Sequence, residues 1–190
     1  TIRLLEALRQ ARRSLDLPET TLETKALYHT VPAVLEDEIL RGAYERAAVS
    51  DSDGEDGACG TNGAGETTAA AGDFPGAIHA AEHAAISMFP FEYLCDRGDI
   101  GGLSTPHHPH TDAPTIFVYD GYPGGIGLTR AGYRDIGSLL DTTLSMLRSC
   151  DCESGCPACV QSPHCGNAND PLSKDGAIHL LDGLTGDAGG

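Results

Sequence analysis

Cys150-Asp-Cys152-Glu-Ser-Gly-Cys156-Pro-Ala-Cys159-Val-Gln-Ser-Pro-His-Cys165 is the stretch that decides how the rest of this sequence is read. It gathers five of the seven cysteines, with gaps as short as two residues, and such crowding favours metal in a reducing compartment over a disulfide scaffold. In the Cys156-x-x-Cys159 pair the turning chain points backbone amides at sulfur. Cys150 and Cys152, two apart in an extended segment, face the same way. Gly155 and Gly166 are expected to supply the tight turns. Four thiolates close a tetrahedral zinc site and leave no position for a substrate water, which makes such a site structural. Five candidates compete for four places. Cys150 follows Leu147 by three residues and could finish a buried helix face, in which case Cys165, or failing it His164, would complete the set. A redox Cys-x-x-Cys would not need three further cysteines beside it. The expectation is one structural Zn2+ on Cys150, Cys152, Cys156 and Cys159, in a knuckle over 150–167.

Working outward, residues 127–149 read as one long helix leading into the cluster, with Leu139, Leu140, Thr143, Leu144 and Leu147 inward. Upstream of it, Thr115-Ile-Phe-Val-Tyr119 is the clearest buried strand, broken by Asp120-Gly-Tyr-Pro-Gly-Gly125. A polar loop with His107, His108 and His110 precedes that strand. Residues 75–89 carry Ile78, Ala81, Ala85 and Phe89 on one helical face. Nearer the start, a helix is expected over 2–13, a strand from Leu22 to Val31, and a helix over 33–48. After the cluster, Asp170 reads as a cap with Pro171 at the first helical position. The final helix carries Ile178, Leu180 and Leu181. Strands mixed with helices predict an α/β (mixed α+β) fold, helices around a small sheet, over a single domain 1–190. Residues 50–72 are acidic and rich in Gly, Thr and Ala without periodicity, the composition of a disordered insertion. Cys59 falls inside it and Cys95 stands alone.

The chain has 28 acidic residues against 12 basic ones, a formal net charge of −16, and its only lysines are Lys25 and Lys174. That sign is wrong for tracking a phosphate backbone through clustered Lys and Arg. The same composition also resembles proteins of extreme halophiles, where salt screens net charge over a few ångströms, so DNA binding by a larger protein is not excluded. No stretch is long and apolar enough to span a membrane. The start, Thr1-Ile-Arg, has neither an initiator methionine nor a signal-peptide pattern, and reads as a cut inside a longer protein.

Two other motifs compete with the cysteines. His79-Ala-Ala-Glu82-His83 has the spacing of inverted zinc peptidases, in which two histidines one turn apart bind zinc and the glutamate is the base. Their third ligand is a downstream glutamate, and the only one after Glu92 is Glu153, inside the cysteine stretch. The alternative is a helix with a polar stripe packed on the next layer. Gly121-Tyr-Pro-Gly124-Gly125-Ile-Gly127 sits where a phosphate loop would, yet it matches neither the dinucleotide nor the Walker pattern. A tight turn fits it better.

Taken in order, Glu23-Thr-Lys-Ala-Leu-Tyr28, His79 to His83 with Cys95-Asp-Arg-Gly-Asp99, Ile116 to Asp120 through Pro123 to Gly127, the cysteine stretch to Asn167, and Asn169-Asp-Pro-Leu-Ser-Lys174 resemble the MrfA zinc-binding domain. That domain is the C-terminal region of MrfA-type DEAD/DEAH-box DNA-repair helicases. The resemblance covers most of the chain outside 50–72. It implies a cytoplasmic accessory domain that follows two RecA-like motor domains and meets DNA through the parent protein. It also implies ATP-dependent 3′ to 5′ translocation by that parent in repair of damaged DNA. The motor motifs themselves are absent from these 190 residues.

Overall fold

A computed structural model describes residues 21–52 and 74–186, with backbone alone over 43–52. The helix expected over 2–13, Cys59 and most of the 50–72 stretch lie outside the described residues. Three antiparallel strands form the sheet in the order β1-β3-β2: β1 is Ala26–Thr30, β2 Ile100–His108 and β3 Ala113–Asp120. The central strand alternates only partly, because Pro114, Thr115, Ile116, Val118 and Asp120 are all buried. β1 is shorter than the strand expected from Leu22. Residues 23–25 bond instead to the end of β3 and the loop after it, with Gly124 N–H donating to the Glu23 carbonyl at 2.7 Å and Asp120 N–H to that of Lys25 at 2.9 Å.

The helices are α1 (Ala33–Ser52), α2 (Phe74–Tyr93), α3 (Leu128–Arg134), α4 (Ile136–Ser149) and α5 (Lys174–Gly186). α1 therefore runs three residues into the stretch read as an insertion. α2 is central. It packs on β2, α4 and α5, and its buried residues include Ala77, Ile78, His79, Ala80, Ala81, Glu82, His83, Ala84, Ala85 and Ile86. A helix covered all round has no solvent face to give its polar residues. Its alanines let neighbours approach closely, so His79, Glu82 and His83 are buried too. Among the described residues no helix is long and apolar enough to cross a membrane.

The structure departs from the sequence expectation at three further places. The segment before β3 is not a polar loop but β2, paired with β3 from Ile100 opposite Asp120 to Thr105 opposite Thr115, with an irregularity before His108. Gly101 and Gly102 hide the strand signal because they have no side chain to alternate. They are needed there: a Cβ on Gly101 would lie 2.6 Å from the Tyr119 hydroxyl, and one on Gly102 2.7 Å from Glu82 Oε1. The long helix over 127–149 is two helices, interrupted at Asp135 (φ −135°, ψ 43°), whose carbonyl accepts the Tyr93 hydroxyl at 3.4 Å. The last helix starts later than Pro171. Its cap is Ser173, whose Oγ accepts the Gly176 N–H at 3.1 Å.

Candidate metal centre

Cys150 is the residue on which α4 ends, and its extended backbone (φ −82°, ψ 120°) turns its thiol beside that of Cys152. The four sulfurs of Cys150, Cys152, Cys156 and Cys159 converge: 150 to 152 is 3.5 Å, 150 to 156 3.6 Å, 152 to 159 3.5 Å and 156 to 159 3.7 Å. A tetrahedron of ~2.3 Å Zn–S bonds has edges of about 3.8 Å, so these residues fit zinc. The Cys156 N–H donates to Cys159 Sγ at 3.2 Å, and the Cys156 carbonyl accepts the N–H groups of Cys159, Val160 and Gln161, which makes the tight turn between the pair. Gly155 has φ 116°, a left-handed conformation, and a Cβ there would collide with Val160. Gly166 is different. A Cβ there would meet nothing, and the following turn is made by Ala168 (φ 56°) and Asn169 (φ 62°).

The cluster is bolted to the core rather than hung from it. Cys159 and Val160 are fully buried in the apolar cluster that includes Ala77, Ala81, Leu180 and Leu181. None of the six described cysteines is disulfide-bonded. Burial pushes the Cys159 thiol up to about 12, whereas hydrogen bonds from Cys159, Cys150 and Cys156 outweigh desolvation at Cys152 and hold it at about 7. A divalent cation held by the four sulfurs would displace their protons.

Lys174 is a residue that sequence reasoning missed. It is buried, and its Nζ donates to the Cys150 and Cys152 carbonyls, both at 2.6 Å. It ties the start of α5 to the two cysteines that local spacing constrains least. The available signal was its rarity, one of two lysines, directly after the cluster. Lys174→Met keeps the volume and removes both bonds. It should destabilise the chain by about 2–4 kcal/mol and lower zinc affinity by roughly 10–100-fold, the usual effect of losing an outer partner. Urea unfolding and chelator competition would measure the two effects; unchanged affinity would reduce Lys174 to a core residue.

Cys165, the rival fourth ligand, is turned away from this cluster. Its Sγ lies 3.4 Å from His79 Nε2, and with His79 and His83 it forms a separate group whose ligand atoms all lie within 4.8 Å of one another. The glutamate sought by the peptidase reading is not there: Glu153 is exposed in the knuckle, and the third partner of the histidines is a cysteine. Glu82 accepts the Ser104 hydroxyl at 2.7 Å. Burial raises its pKa against the opposing pull of that bond and of the His79 and Arg97 charges, while burial lowers that of His83. Both shifts favour neutral groups. A cavity of about 460 Å³ is lined by His79, Glu82, His83, Arg97, Ser104 and Cys165 among others.

The remaining sequence candidates are structural. His107 pairs with Asp112 at 3.8 Å on the surface, and His108 stacks edge-on against Phe117 with ring centroids 4.8 Å apart. The glycine loop is occupied by the protein itself. The Asp120 carboxylate accepts the N–H groups of Ile126 (2.6 Å), Gly127 (2.7 Å) and Thr129 (2.8 Å), the donors a phosphate would need.

Comparison with known proteins places this geometry among relatives. The family model described as the MrfA Zn-binding domain matches residues 81–160, a span that includes all four converging cysteines but neither His79 nor Cys165. An uncharacterised protein of Methanocaldococcus jannaschii is 38% identical over 110 residues, which are 56% of this chain and 98% of that protein. The ATP-dependent helicase YprA of Bacillus subtilis is 38% identical over 98 residues, 52% of this chain and 13% of the helicase. Among solved structures, the crystal structure of the DUF1998 helicase MrfA bound to DNA superposes with a TM-score of 0.50 at 28% identity, covering 66% of this chain and 16% of that one. The chain thus spans nearly all of the archaeal relative but only a small part of the helicases.

Proposed function

Because the chain belongs to the MrfA Zn-binding domain family, we propose that it is a zinc-stabilised accessory domain serving the motor of an ATP-dependent DNA helicase. The observation that carries this reading is the sulfur tetrahedron of Cys150, Cys152, Cys156 and Cys159, inside the stretch matched by the family and fixed to the core through Val160. In this reading these four residues hold one structural Zn2+. The ion supplies folding free energy and no chemistry, because four thiolates leave it no open position. The domain covers 1–190 and works beside RecA-like motor domains, meeting DNA through the parent protein. Translocation from 3′ to 5′ and a role in DNA repair belong to the same proposal, as does a salt-rich, reducing cytoplasm. The acidic, lysine-poor composition and the free thiols support that setting.

The chain has no Gly-Lys-Ser or Gly-Lys-Thr phosphate loop, so ATP hydrolysis must come from the motor. In the helicase that carries this domain, Cys156→Ser should abolish unwinding while single-stranded DNA still stimulates some ATPase. Full unwinding with the zinc lost would overturn the proposal. So would peptide hydrolysis by the chain that Glu82→Gln abolishes and Cys156→Ser spares. The acidic stretch within 50–72 is proposed to be dispensable on its composition. Deleting residues 53–72 should leave the thermal midpoint nearly unchanged, and a loss of several degrees would refute that.

A further inference from the structure

We propose that His79, His83 and Cys165 form a second zinc site, distinct from the four-cysteine cluster, with one coordination position open to the adjoining cavity. The inference does not depend on the helicase reading. It starts from the two imidazoles. His79 Nδ1 lies 2.8 Å from the Pro171 carbonyl, and His83 Nδ1 2.7 Å from that of Val160. A carbonyl can only accept, so each Nδ1 carries the proton and each Nε2 presents a lone pair. Zinc-ligating histidines are usually prepared in this way, by donating the far N–H to a backbone carbonyl or carboxylate. Among the described residues, nothing hydrogen-bonds to His83 Nε2. The two rings are stacked edge to face, 4.4 Å between centroids, one helical turn apart on a buried helix.

The third group is held as an acceptor. Cys165 Sγ accepts the N–H groups of Asn167 and Asn169, both at 3.3 Å, the same device that the Cys156 N–H provides for Cys159. Turning those amides inward costs backbone strain, since Ala168 and Asn169 both adopt left-handed conformations that side chains disfavour. The Asn169 side chain holds the turn: its Oδ1 accepts the Ser162 N–H at 2.7 Å and its Nδ2 donates to the Ser162 carbonyl at 3.1 Å. A plain core cysteine would need none of this.

The distances suit the ion. Bonds of ~2.0–2.1 Å to nitrogen and ~2.3 Å to sulfur at a tetrahedral angle put N and S about 3.6 Å apart. His79 Nε2 and Cys165 Sγ are 3.4 Å apart. Two imidazoles and one thiolate form a donor set for a borderline divalent cation, zinc first. Three protein ligands with a free fourth position make the site exchangeable, whereas the four-cysteine site is closed. Glu82, Arg97 and Ser104 line the same cavity.

The test is metal stoichiometry on the full chain. Purified without chelator, saturated with zinc and desalted, it should hold two equivalents, falling to one in Cys165→Ser and in His83→Ala with the circular dichroism unchanged. Retention of two equivalents by both variants would overturn the site. In case either variant fails to fold, the wild-type chain freed of metal is titrated with Co2+. Two successive stoichiometric phases are expected, with thiolate charge-transfer per ion weaker in one phase than in the other. A single phase ending at one equivalent would refute the second site. It would leave the four-cysteine reading standing.

Discussion

Stripping zinc from the four-cysteine cluster should unfold the C-terminal part of the chain. Structural zinc in small domains contributes an apparent ~10–16 kcal/mol near neutral pH, whereas a whole domain is stable by only about 5–15 kcal/mol. The geometry says where the loss would spread. Val160 is fully buried in the core shared with α2 and α5, and Lys174 fastens the start of α5 to the Cys150 and Cys152 carbonyls. Once the thiols repel or scatter, the lysine loses its acceptors and α5 loses its anchor. Chelator should therefore remove helical circular dichroism and the cooperative thermal transition together. Cys→Ser at 150, 152, 156 or 159 should each do the same, while Cys165→Ser should leave this cluster loaded. Acid should weaken zinc binding, because protons compete with the ion for the four thiolates. A chelated protein with unchanged midpoint and spectrum would remove the structural role.

What the sequence made legible was local, and what it concealed was long-range. The four-cysteine cluster is written in spacings of two to four residues, and the structure brings those sulfurs together. The His79–Cys165 pair spans 86 positions, and no spacing rule reaches that far. From sequence Cys165 therefore reads as a spare for Cys150, and the histidines as a motif in want of a glutamate. β2 was hidden because its adjacent Gly101 and Gly102, one on each face, carry no side chain to alternate, and their job is to admit Tyr119 and Glu82, residues known only after folding. The break at Asp135 falls in a run whose apolar periodicity continues on both sides. Helix α2 was legible, but not its burial on every face, which follows from what α4, α5 and the knuckle cover.

The second large effect is expected at Asp120, which replaces the phosphate suggested by the glycine loop. Its carboxylate is completely buried and accepts three backbone N–H groups from the segment that starts α3. Gly124, Gly125 and Gly127 take positive φ values of 77°, 76° and 98°, and so let the chain wrap around it. Asp120→Ala would orphan three donors, that of Thr129 buried and those of Ile126 and Gly127 part-buried, at a total cost of roughly 3 kcal/mol or more. Asp120→Asn keeps one acceptor oxygen and should cost less. Burial alone would raise the Asp120 pKa, but the Thr129 N–H and hydroxyl, with the Gly127 and Ile126 N–H groups, outweigh it and hold it below its ordinary value. A depressed folded-state pKa means that its stabilisation is complete above the unfolded value and is lost as pH falls through the folded one. Urea midpoints of wild type and Asp120→Asn should therefore differ most near neutrality and converge in acid. Zinc-thiolate protonation affects both proteins alike and cancels in that difference. A gap that stays constant down to pH 3, or an Asp120→Ala protein as stable as wild type, would show that the loop does not rest on this carboxylate.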